Sequence, residues 1–135
     1  MELSERLPAV LEEILPVTRE DDGALTVQHA ETFASLRVVT IAEDLDLVSL
    51  TQVLAWDLPL DSKIRARVAK HAHDTLLGTV SLVEKIGAGK GSPKKTGDVL
   101  LRYNFPAAGL TDDALRTLVL MVLATGADVR TALVG

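Results

Sequence analysis

Two stretches of the chain hold side chains that could do chemistry. His71-Ala72-His73-Asp74 combines imidazoles with a carboxylate, the donor types that hold zinc. On a helix, however, residues two apart point about 160–200° away from each other, whereas co-ligands need three- or four-residue spacing. His71 borders an apolar arc and reads as a packed, hydrogen-bonded histidine. Gly87-Ala88-Gly89-Lys90-Gly91-Ser92 has the look of a phosphate-binding loop. That loop requires G-x-x-x-x-G-K-[ST], but here Gly91 follows Lys90, and Glu84 stands where the first glycine belongs. It also joins two strands, so no helix N-terminus is present to cradle a phosphate. What remains is anion attraction by Lys85, Lys90, Lys94 and Lys95. No serine, histidine and acid spacing singles out a triad around His29 or elsewhere. The chain has no cysteine, which removes disulfides, thiolate–metal sites and thiol nucleophiles together. The reading is a non-catalytic protein without metal or cofactor.

Composition narrows the partners. The chain of 135 residues is 47% apolar but only 3% aromatic, so an aliphatic core is expected and a base-stacking surface is not. Specific nucleic-acid binding is therefore not expected. The longest apolar run, Leu118 to Ala124, is far shorter than a bilayer span, and no basic-then-apolar leader opens the chain; a cytoplasmic location without membrane contact is expected. The net charge of −5 is uneven. Eight basic residues lie between Lys63 and Lys95 against Asp74 and Glu84. Such segregation can steer an acidic partner or help two copies dock.

The elements that must position any site follow from periodicity. Residues 1–135 are expected to form one domain. Leu3, Leu7, Val10, Leu11, Ile14 and Leu15 make one helical arc, capped at Ser4 and ended by Pro16. Leu25 to His29 is a short strand. Phe33 to Leu60 is a hairpin around Glu43, Asp44 and Asp46. Its strands place Ala34, Leu36 and Val38, then Val48, Leu50, Leu54, Trp56 and Leu58, on the core side, with Gln52 breaking the pattern. Asp61 caps a second helix whose arc is Ile64, Val68, Ala69, Ala72, Thr75 and Leu76. Thr79 to Ile86 and Asp98 to Phe105 pair across the Gly/Lys loop. A last helix starts after Thr111, with Gly126 on its buried stripe as the mark of a close backbone approach. The expected fold is α+β, in the order α-β-β-β-α-β-β-α, with a five-stranded, mostly antiparallel sheet and helices packed on it.

Several apolar residues fall outside these core arcs: Val39, Ile41, Leu47 and Val53 on the hairpin, and Leu120 and Met121 on the last helix. Clustered, they would form a surface for self-association or for an amphipathic client segment.

The same order, with Leu58-Pro59-Leu60, Leu77-Gly78-Thr79-Val80-Ser81-Leu82, Leu101-Arg102-Tyr103-Asn104-Phe105-Pro106, Gly109-Leu110-Thr111 and Ala127-Asp128, resembles the YbjN-like family of bacterial sensory transduction regulators. That family is similar in fold to type III secretion chaperones. The resemblance runs from Leu3 to Leu133. It departs at His71 and Asp74, where relatives often carry asparagines, and in the longer lysine-rich loop. It implies a homodimer that binds a protein or peptide in a chaperone-like or regulatory role. The alternative is a small-ligand- or anion-responsive regulator using the basic region 63–95.

Overall fold

The computed structural model describes residues 2–86 and 95–134. Three helices and six strands follow in the order α1 (Leu3–Glu12), β1 (Val17–Arg19), β2 (Leu25–His29), β3 (Thr32–Ala42), β4 (Leu45–Pro59), α2 (Ser62–Asp74), β5 (Thr79–Ile86), β6 (Lys95–Pro106) and α3 (Asp112–Val134). The strands form one antiparallel sheet in the order β1-β2-β3-β4-β6-β5. The sixth strand corrects the expected five. Val17 to Arg19 pair with Val27 to Leu25, and three residues are too few to show an alternation in the sequence. Helix α1 starts at Leu3, but Glu2 rather than Ser4 is its N-cap, Pro8 lies inside it, and it ends at Glu12, short of the expected Leu15.

Alternation sets the two faces of the sheet. Ala34, Gln52, Leu101 and Val80 stand in one transverse row, and Leu36, Leu50 and Tyr103 in the next. Except for the half-buried Tyr103 these are buried, and all three helices pack on this side. Helix α3 is long and apolar enough to cross a bilayer by length and composition; here it lays Leu115, Val119, Val122 and Val129 on the sheet. Its start is fixed by Thr111, whose hydroxyl accepts from the Ala114 N–H at 3.1 Å. Arg6 ties α1 to this end by donating to Asp112 and to the Leu110 carbonyl.

Gln52 does not merely interrupt the apolar pattern. It is fully buried, and its amide nitrogen donates to Thr32 Oγ1 at 2.8 Å and to the Leu123 carbonyl at 3.1 Å. Gly126 lies against it so closely that a Cβ there would sit 2.0 Å from Gln52 Oε1. The glycine in the helix and the glutamine in the strand are thus two halves of one contact.

Helix α2 is held more loosely. Asp61 caps it as expected, accepting from the Ile64 N–H at 2.8 Å. Of its expected arc, Val68 is buried and Ile64 and Thr75 are half-buried, while Ala69 and Ala72 are exposed and Leu76 is 91% exposed. Arg65 points outward and pairs with Glu84.

Candidate docking face of the sheet

Among the described residues, no element covers the face of the sheet opposite the helices. Register orders its side chains. One transverse row is Phe33, Val53, Leu100 and Ser81; the next is Ser35, Thr51, Arg102 and Thr79; then come Arg37, Ser49 and Asn104; and Val39, Leu47 and Pro106 close the far end. The face is therefore apolar at both ends and polar in the middle. The two ends lie roughly 20 Å apart at strand spacing.

Trp56 belongs to the first end. By alternation it should face the core, yet it is 64% exposed. The cause is a bulge. Val53 pairs with Leu100 and Ala55 with Val99, so Leu54 is an inserted residue, and Leu54 and Ala55 are both buried. Parity flips there, and Trp56 turns to the uncovered face, where Asp98 on β6 separates it from Val83 on β5, which is 47% exposed. A second irregularity follows between Ala55 and Leu58, where Asp57 adopts a φ of 53°. A left-handed conformation costs a non-glycine residue on the order of 1 kcal/mol or more, and it persists only where the surroundings fix it.

Those surroundings are visible. Asp98 Oδ1 accepts from the Asp57 N–H at 2.9 Å. Lys85 Nζ sits 2.6 Å from Asp57 Oδ1, 2.9 Å from Asp98 Oδ1 and 5.8 Å from the centre of the Trp56 ring. Burial acts to raise the Asp98 pKa, but the Asp57 amide and the Lys85 ammonium outweigh it and hold the carboxyl below its ordinary range. The Asp57 and Asp98 carboxylates hold Lys85 above the usual lysine range. A depressed carboxyl contributes stability that is present above its unfolded pKa and lost as pH falls through the folded one. A raised ammonium contributes below its unfolded pKa and loses its effect as pH rises through the folded one. The bulge is thus held most firmly between roughly pH 4 and pH 10. Trp56 emission should stay flat across that window and change at its acid edge before far-ultraviolet circular dichroism is lost. Asp98→Asn should remove the early acid change; the same acid change in that variant would place the latch elsewhere.

The residues singled out from the sequence are thereby sorted. Val39 and Leu47 face each other at the hairpin end, Val53 lies at the Trp56 end, and Ile41 is exposed at the hairpin tip. Leu120 and Met121 are on α3, in the helix layer, so the six do not form one surface. Of the lysines, Lys85 is already held between two carboxylates, which leaves little charge for an external anion, and Lys95 is exposed at the start of β6. Lys90 and Lys94 lie outside the described residues. Among the described residues, no group of three or more histidine, aspartate or glutamate side chains could hold a metal ion. Sequence alternation missed Trp56, Phe33, Val83 and Leu100. The available signal was length, since β4 runs 15 residues where strands usually run about 3–10, and long strands accommodate bulges. Comparison with protein-family models, with curated proteins and with solved structures gives no match.

Proposed function

We propose that this chain is a non-catalytic protein-binding module that takes an apolar client segment on the open face of its sheet and works as a homodimer. The observation that carries the reading is Trp56. The only tryptophan of the chain is turned out of the core by a bulge, held by an ion-paired lysine and set on the same uncovered face as Phe33, Val53, Val83 and Leu100. Tryptophan anchors dominate binding energy at protein interfaces. The YbjN-like resemblance and its secretion-chaperone-like fold belong to the same proposal, since they also imply a dimeric, client-holding domain.

The sheet edge beside α2 is the better support for the dimer. Strand β5 is outermost, its outer side pairs with no described strand, and α2 beside it leaves Ala69, Ala72 and Leu76 exposed. An open strand edge with apolar flanks is a template for pairing with another chain. A dimer built there would leave the Trp56 face free for a client.

Two measurements test the halves separately. The dye 8-anilinonaphthalene-1-sulfonate should light up on the wild type and lose its signal in Trp56→Ser, with stability in urea lowered by no more than about 1 kcal/mol. A folded wild type that ignores the dye would sink the docking face. In sedimentation velocity up to tens of micromolar, wild type and Met121→Glu should run as dimers and Leu76→Glu as a monomer. Leu76 is exposed enough that its replacement should leave the fold intact. A monomeric wild type would remove the dimer.

A further inference from the structure

The open face carries one more feature, and its meaning rests on the docking reading above. Of its charged side chains, Arg37 is held by Asp22 at 3.0 Å, and Lys85 by Asp57 and Asp98. Arg102 is exposed and enters none of the ion pairs among the described residues. It sits on β6 two residues beyond Leu100, on the same face, level with Thr51 and Thr79. Its place is therefore one row from the apolar row, at a spacing of about 7 Å. Beside it the sheet steps down. Strand β5 starts at Thr79, opposite Arg102, so Tyr103 to Pro106 have a strand neighbour only on the β4 side. In the single chain a shallow groove of about 640 Å³ opens at the step, lined by Thr79, Arg102, Tyr103 and Asn104 and, towards the edge proposed for the dimer, by Leu76 and Gly78. Thr79, opposite Arg102 on β5, and Asn104, one row further along β6, add a hydroxyl and an amide.

We infer that the preferred client is an extended protein segment that bears a carboxylate two residues beyond an aliphatic anchor, with the carboxylate paired to Arg102. Successive rows of the face and alternate residues of an extended chain share one period, so the match is geometric. An aromatic residue lies against Trp56 and Val83, an aliphatic one two positions on lies against Val53 and Leu100, and an aspartate or glutamate two positions further reaches Arg102. A planar guanidinium accepts a carboxylate through two parallel hydrogen bonds, which lends specificity as well as attraction. The apolar anchors set such a segment apart from a free anion, which would meet the arginine alone.

The probe is acetyl-Ser-Phe-Ser-Leu-Ser-Asp-Ser-amide, compared with the same peptide carrying asparagine for aspartate. Both are titrated into the 135-residue chain while the emission of Trp56, its only tryptophan, is followed. The aspartate peptide should shift the emission to the blue and bind about tenfold tighter than the asparagine peptide. Arg102→Ala should erase that difference, and Arg102→Glu should favour a lysine counterpart. Equal affinities for the two peptides, with a shift that Trp56 reports, would overturn the carboxylate preference and leave the docking face standing. No shift with either peptide, in protein that still binds the dye through Trp56, would overturn the proposed segment alone.

Discussion

Gly126→Ala should unfold this protein more readily than any exposed substitution, although alanine is the better helix former by about 1 kcal/mol. The added Cβ would lie 2.0 Å from Gln52 Oε1, 2.5 Å from its Cδ and 2.8 Å from its Nε2. Gln52 is fully buried and cannot swing into water. Either α3 lifts from the sheet or the glutamine gives up its bonds to Thr32 and Leu123. Both outcomes cost about 3 kcal/mol, the sum of overpacking and a lost buried hydrogen bond. In a chain of this size that loss lowers Tm by roughly 10 °C. Gln52→Ala alone removes packing and the bonds to Thr32 and Leu123 but forces nothing apart, and should cost less. In the double variant the alanine at 126 no longer meets a side chain, so the two losses should fall short of additivity by at least about 1 kcal/mol. Urea midpoints of the four proteins check this. Strict additivity would mean that α3 and β4 meet elsewhere.

The second large effect contrasts two residues separated by one position. Leu54→Ala should cost about 3 kcal/mol, because Leu54 is fully buried and its removal leaves a cavity. Trp56→Ala removes a much larger side chain and should cost within about 1 kcal/mol, mostly its contact with the Lys85 ammonium. Without the bulge the alternation would bury both residues, and the tryptophan would be the costlier loss at about 3–5 kcal/mol. Paired urea titrations of the two variants read the bulge directly; equal destabilisation would place Trp56 in the core.

These contrasts mark how far the sequence could be read. Where alternation runs undisturbed, as through Ala34, Leu36 and Val48, Leu50, it assigns the buried face correctly. The caps at Asp61 and Thr111 were also legible, because one side-chain oxygen before an apolar-periodic run has a local meaning. Gly126 signalled a close approach, but its counterpart, Gln52, looked like a flaw in a strand until the two were brought together. Trp56 went to the wrong side because a single inserted residue inverts every assignment after it, and period-two patterning carries no internal mark of the insertion. The arc of α2 shows a different limit. Periodicity reports that Ala69, Ala72 and Leu76 share a side, but not whether a neighbour exists to cover them. Val39, Leu47 and Val53 were visible as surplus apolar residues. That they belong to opposite ends of one open face, and Met121 to the other layer, depends on pairings between distant strands.

The strand order also sets a timetable for synthesis. Strands β1 to β4 are neighbours in sequence and can zip together as residues 17–59 leave the ribosome. The other flank of β4 belongs to β6, which is complete only at Pro106, after α2 and β5 have been made. At ordinary elongation rates of about 5–20 residues per second, that interval lasts roughly 2–10 s. Throughout it the nascent chain carries a finished meander with β4, its longest strand, open along one side. A second nascent chain on the same message would present the same open flank, so the order of translation favours self-capture at β4 until β6 arrives to displace it.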